Sequence, residues 1–137
     1  MTKNERTLAV VLRLAGLLAL TAIFPAVMPF RWMVTIHAWL DLGELPDVPI
    51  THYLTRSLSM MYAVHGALVV YVSTDVRRFM PVIRFLVVVS ILFGIGMLVL
   101  DCMVGLPLAW IIGEGPFIVA LGVLLLWLSR PGLAPTE

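Results

Sequence analysis

The stretch Leu106-Pro-Leu-Ala-Trp-Ile-Ile-Gly-Glu-Gly-Pro-Phe-Ile-Val-Ala-Leu-Gly-Val-Leu-Leu-Leu-Trp-Leu128 decides the class of this chain. It exceeds the roughly 20 apolar residues that an α-helix needs to cross a bilayer, and Glu114 is its one charged residue. Hydrocarbon offers no water to backbone N–H and C=O groups, so a segment of this kind satisfies them internally, as a helix. An acid inside such a helix costs roughly 2.5 to 3.5 kcal/mol on insertion scales. Glu114 therefore needs a partner, a proton or water. Gly113 and Gly115 flank it, and Pro116 has no N–H to give the carbonyl of Ile112, which predicts a kink or a local opening.

Three more runs reach spanning length: Leu8 to Met28, Thr55 to Ser73 and Pro81 to Leu100. Across its 137 residues the chain is 61% hydrophobic and 12% charged, with a mean hydropathy of +1.06. Soluble domains have about 45 to 50% apolar and about 25% charged residues. The expected fold is all-α: a single transmembrane domain over 1–137, built as an antiparallel four-helix transmembrane bundle. The first run follows Lys3 and Arg6 as a secretory signal would, but it outlasts a signal core of about 7 to 15 residues and has no small-x-small cleavage site. It is expected to be retained as the first span. No basic run interleaved with aromatics points to nucleic acid. Cys102 is the single cysteine, without the Cys/His spacing that holds zinc or an iron–sulfur cluster, so no metal is expected.

Charge sets the orientation. Lys3, Arg6, Arg13, Arg77, Arg78, Arg84 and Arg130 fall on one side of the alternating spans, against Arg31 and Arg56 on the other. The positive-inside rule then places both termini in the cytoplasm. Asp41, Glu44, Asp47 and Asp101 lie toward the outer side, and Glu114 is about two turns from that end. The first outer link contains a predicted short interfacial helix, Arg31 to Leu42, with Trp32, Ile36, Trp39 and Leu40 recurring at helical spacing and the tryptophans suited to the headgroup region. Gly43 is expected to end it in the left-handed conformation, and Glu44 to Ile50 to run extended because Pro46 and Pro49 disfavour helix before them. Small or polar residues predict packing seams: Ala15, Ala19, Ala22, Ala26; Thr55, Ser59, Tyr62, Gly66; Ser90, Gly94, Met97, Asp101; Ala109, Gly113, Pro116, Ala120.

Glu114 leads the candidates for chemistry, as a ligand or proton site or as an acid bonded to a neighbouring helix. His65 shares a helix face with Ser59, Met61 and Tyr62 and is expected to look inward, either donating to a nearby oxygen or sharing a proton with Glu114. Asp101 is expected at a solvated helix end, where the negative end of the helix dipole asks for a cation; Arg56 is the natural partner. Tyr62, Trp110, Arg56, His37 and Trp32 complete the expected ligand-binding set, with His37 and His52 in the outer link. His37 and Asp41, at i and i+4, offer at most a weak metal pair.

The segment Leu12-Arg13-Leu14-Ala15-Gly16, followed by three further spans, resembles the DoxX-like small four-helix membrane proteins of bacteria. Gly113-Glu-Gly-Pro116 stands where that family has a glycine-rich close, and its lysine after the first span is missing here. His65-Gly66, Asp75-Val-Arg77-Arg78 with Pro81, and Gly113-Glu-Gly-Pro116 also resemble stretches of uncharacterised bacterial membrane proteins. The resemblance implies the bacterial inner (plasma) membrane and a quinone- or thiol-linked accessory role, and transfers no catalytic residue. The residues themselves allow a small binding or accessory protein that holds a lipid, a quinone or a partner helix in an outer-half pocket, alone or as an oligomer. The alternative is a membrane enzyme doing acid–base chemistry on an apolar substrate, with Glu114, His65 and Asp101 as its catalytic groups. A proton-coupled carrier is disfavoured, since no internal repeat and no second copy of the Gly-Glu-Gly-Pro break is evident.

Overall fold

The computed structural model describes residues 1–130, and every regular element among them is a helix. These are α1 (Lys3–Leu20), α2 (Ile23–Val27), α3 (Phe30–Trp39), α4 (Pro49–Val72), α5 (Met80–Val104), α6 (Leu108–Gly113) and α7 (Gly115–Leu128). Among the described residues three stretches are long and apolar enough to cross a membrane: Lys3–Val27, Met80–Val104 and Leu108–Leu128. In an 18-residue apolar window of each, only 17 to 22% is buried. Most of their leucines, valines and phenylalanines are exposed, Leu14, Leu18, Phe24, Phe85, Leu92 and Phe117 among them, an arrangement suited to hydrocarbon and not to water. A multi-pass membrane protein follows. Helix α4 is long enough to join the set but more polar, since Thr51, His52, Thr55, Arg56, Ser57 and Ser59 crowd its first half.

Local chemistry explains where the helices stop. Pro25 cannot donate to the carbonyl of Thr21, which instead accepts the N–H of Phe24 at 3.0 Å, and the first span breaks at Thr21 and Ala22. The Thr21 hydroxyl closes that break by donating to the Leu18 carbonyl at 2.6 Å. This break was not expected. The one expected in the last span is present: α6 ends and α7 begins on either side of Glu114, whose φ and ψ are −95° and −79°. Helix α5 runs to Val104 and stops on Gly105, which takes φ 76°.

In the first link, helix α3 ends at Trp39, earlier than expected. Asp41 takes the left-handed φ of 57° and Gly43 one of 85°, so the turn is spread over both residues. The chain then runs without regular structure to Val48, and Pro49 opens α4 from a first-turn position that needs no N–H donor. The expected extended run to Ile50 is shorter by that first turn, and α4 starts before Thr55.

The chain divides into two compact units, Arg13–Tyr71 and Met1–Leu12 with Val72–Glu137. In the first, α1 and α4 pack antiparallel with their backbones in contact. A Cβ on Gly16 would lie 2.8 Å from the Val70 nitrogen and 2.9 Å from the Gly66 carbonyl oxygen; one on Gly66 would meet Leu20 N and Gly16 O. Ala26, Met33, Ala63 and Val69 fill out its core. The hydroxyls of Thr55 and Ser59 are turned back onto their own helix, donating to Thr51 O at 2.8 Å and Thr55 O at 2.7 Å.

In the second unit α5 and α7 are the antiparallel pair. A Cβ on Gly115 would lie 2.7 Å from Gly94 O and 2.8 Å from Leu98 N; one on Gly122 would meet the Ile91 side chain at 2.5 Å. Leu8, Leu12, Val72, Val76, Ile83, Val87, Leu125 and Leu128 are buried here. The expected seam Gly94 to Asp101 is correct at its glycine and its aspartate. That of the last span is on the wrong face: Ala109, Gly113 and Ala120 are exposed, while Gly115 and Gly122 are buried. The break at Glu114 resets the phase of the helix, which a single periodicity run through it does not follow.

Candidate functional site

The acids of interest lie in the second unit, at the end where α5 finishes and the last span is broken. The register of α5 on α7 sets Gly94 beside Ile118, Leu98 beside Gly115, and Ile91 beside Gly122. Asp101 follows Leu98 by about one turn on the same face of α5, toward the end where α6 and the break lie. Asp101 is 2% exposed, and its Oδ2 has no hydrogen-bond partner. A solvated helix end was expected; the residue is instead buried, three positions before α5 ends at Val104.

Glu114 is half-buried. Its Oε2 accepts the indole N–H of Trp110, one turn earlier, at 2.5 Å. Asp101 and Glu114 lie at the same end of this unit, where α5 finishes and the last span is broken. The break supplies a further polar group, since Pro116 brings no N–H to the Ile112 carbonyl. On the broken span itself, Leu108, Ile112 and Phe117 are exposed. Glu114, Trp110 and Asp101 thus belong to one unit, and Asp101 Oδ2 is a buried carboxylate oxygen without a hydrogen-bond partner.

The basic residues of this unit lie at its other end. Arg84, 17 positions before Asp101 and so about 26 Å from it along α5, donates from Nη2 to the Ser129 carbonyl at 2.6 Å and from Nε at 3.2 Å, closing the C-terminus of α7. Arg77 pairs with Glu5 at 2.8 Å, and that hydrogen-bonded carboxylate holds its guanidinium above an arginine's ordinary pKa.

The remaining expected site residues belong to the first unit. His65 is exposed, not turned inward: the face of α4 that packs is Ala63, Gly66 and Val69, about a quarter-turn away. Tyr62 on the same helix is half-buried. Arg56 does not wait for an acid. Its Nη1 donates to Ala26 O at 2.7 Å and its Nη2 to Met28 O at 3.2 Å, so it closes the C-terminus of α2. The expected pairing of Arg56 with Asp101 is replaced by these carbonyls. His37 Nδ1 donates to Gly43 O at 3.1 Å, so that nitrogen is not available for a pair with Asp41. Trp32, Ile36 and Trp39 form the exposed face of α3, and Met33 its buried one.

One cluster was missed from the sequence. His52 Nε2 bonds Asp47 Oδ1 at 2.7 Å while its ring stacks on Phe30, centroids 3.9 Å apart. The i to i+5 spacing of Asp47 and His52 across Pro49 was the available signal. Among the described residues no three of His, Cys, Asp and Glu come together as a ligand group. Comparison of the chain with protein-family models, with curated proteins and with solved structures finds no match.

Proposed function

We propose that this chain is a small binding or accessory protein of a bacterial inner membrane, with four spanning helices, both termini cytoplasmic, and α3 lying in the outer interface. On this reading α4 is the fourth span, its self-bonded hydroxyls lowering the cost of its polar half. The bound partner is a molecule with an apolar body and a polar end, a lipid or a quinone, or else the helix of another membrane protein. One observation carries the proposal: Glu114 is a half-buried acid held by Trp110 at a helix break whose surroundings, Leu108, Ile112 and Phe117, are apolar and exposed. Broken helices at membrane depth are tolerated where they line a cavity or are covered by protein. Apolar side chains would hold the body of the ligand and the acid would accept a hydrogen bond from its polar end.

Native mass spectrometry of the purified protein beside Glu114→Gln tests this. A co-purified molecule bound to the wild type and lost from the variant is the expected result. A molecule retained equally by both would separate binding from Glu114. No bound molecule in either protein would overturn the small-molecule reading and leave the partner helix.

A further inference from the structure

Glu114 and Asp101 differ in what already compensates them. Glu114 has the indole N–H of Trp110 and stands at the start of α7, where the first-turn N–H groups supply positive potential. Asp101 stands in the last turn of α5, whose free carbonyls supply negative potential, and its Oδ2 has no donor. Every basic side chain described in the unit is at the opposite end, and two of them are engaged there, Arg77 with Glu5 and Arg84 with Ser129. A buried, uncompensated carboxylate is costly, and one of the few ways to offset it is a bound cation.

Size selects the occupant. Asp101 is 2% exposed, so a lipid ammonium or a partner's lysine does not reach Oδ2 while the helices stay packed. A bare ion does. The oxygens at hand are the Asp101 carboxylate, the Glu114 carboxylate at the same end of the unit, and, at the break itself, the carbonyl of Ile112 that Pro116 leaves without its helical donor. An all-oxygen set with no imidazole or thiolate suits a hard cation. Carbonyls at the end of a broken half-helix are a recurring way to complete such a site in membrane proteins.

We propose that Asp101, with Glu114 beside it, binds one small monovalent cation of the sodium type at the break between α6 and α7. The site is centred on buried Asp101 and differs in that from the exposed apolar surface, with which it shares Glu114.

Thermal unfolding of detergent-solubilised protein tests the site, titrated with sodium chloride against N-methylglucamine chloride at matched ionic strength and fixed pH. Sodium should raise the midpoint saturably, by roughly 5 °C or more at a hundredfold excess over the dissociation constant. The isosteric Asp101→Asn should abolish that rise. No sodium-specific rise in the wild type, or an equal rise in Asp101→Asn, overturns the proposal. So does a midpoint that follows pH but not sodium, which would assign a proton to the pair. Should Asp101→Asn fail to fold, equilibrium dialysis of the wild type with radioactive sodium decides: about one retained ion per chain, displaced by excess unlabelled sodium, supports the site, and none overturns it. Co-purification of an apolar molecule is read by mass, so the two inferences fail separately.

Discussion

The unit Arg13–Tyr71 and the unit completed by Val72–Glu137 solve one packing problem in the same way and then diverge. In each, a continuous helix packs antiparallel on a broken one through glycine: Gly66 of α4 on Gly16, Gly94 of α5 on Gly115. In each, an arginine ten positions before that glycine, Arg56 or Arg84, donates to the terminal carbonyls of the broken helix. Close backbone approach replaces a hydrophobic drive that lipid cannot supply, and the guanidinium satisfies carbonyls that have no water. The two breaks are where the units part. At Thr21 the break is neutral and closed by its own hydroxyl; at Glu114 it carries an acid, and the helix packed beside it carries a second, buried one. A scaffold that makes an uncharged break once does not need a carboxylate to make another. The acids of the second unit therefore call for an explanation outside folding.

The strongest test of the shared scaffold is an added methyl at each crossing. Gly66→Ala places Cβ against three backbone atoms, Leu20 N, Gly16 O and Ala19 C, which cannot rotate away. Gly115→Ala meets Gly94 O, Leu98 N and one side-chain carbon, Leu98 Cβ. Overpacking of this kind costs about 1 to 3 kcal/mol, and Gly66→Ala should lie at the upper end. Reversible unfolding in mixed micelles with sodium dodecyl sulfate would report both. If Gly115→Ala proved neutral, the resemblance between the two pairs would be one of sequence spacing alone.

Next in size are the arginines. Hydrogen bonds from a charged donor contribute about 1.5 to 3 kcal/mol where they are shielded. Arg56→Gln releases two carbonyls, Ala26 and Met28, from a half-buried donor and should approach that range in the same unfolding assay. Arg84→Gln releases one carbonyl, Ser129, from a side chain that solvent reaches, and about 1 kcal/mol is expected once screening is allowed for. The reverse order would mean that the α7 terminus lies in a drier place than the α2 terminus, and would locate the polar boundary of each unit.

How much of this was legible depended on whether the signal was local. The break at Glu114 was readable because Pro116 removes a donor four residues from the carbonyl it leaves, and the flanking glycines sit in the same short stretch. The break at Thr21 obeys the same rule through Pro25, but within a run judged by apolar content it passed as uninterrupted helix. Asp101 and Gly94 were placed on the packing face of α5 by periodicity. That Asp101 would be enclosed was not readable, since nothing near it in sequence fixes the burial of a helix end. Arg56 was matched with an acid by sign of charge; its real partners are carbonyls, which every residue has and no sequence distinguishes. Tyr62 and Ser59 predict a seam that would turn His65 inward, whereas the contact runs through the smaller residues Gly66 and Ala63. The Arg-to-Gly spacing common to α4 and α5 was present throughout, but two residues in otherwise unlike helices become a pattern only when both partners are seen.

The smallest expected effect separates the packed face of α5 from its open one. Gly94 and Gly96 are two residues apart on one helix, and a Cβ at Gly94 would lie 3.0 Å from Gly115 O, whereas one at Gly96 would meet nothing within 4 Å. Gly94→Ala should therefore lose about 1 kcal/mol of stability, and Gly96→Ala should be neutral or gain about 0.5 kcal/mol from the lower backbone entropy of alanine. The pair of values carries more than either alone. If Gly96→Ala destabilised the protein as much as Gly94→Ala, the empty space beside Gly96 would be filled in the folded state by something other than lipid tails, which yield to a methyl group. Cross-linking of the purified wild type would then show whether a second copy of the chain supplies that surface. A neutral Gly96→Ala would leave the α5–α7 pair complete in itself, with one glycine face committed to α7 and the other to the bilayer.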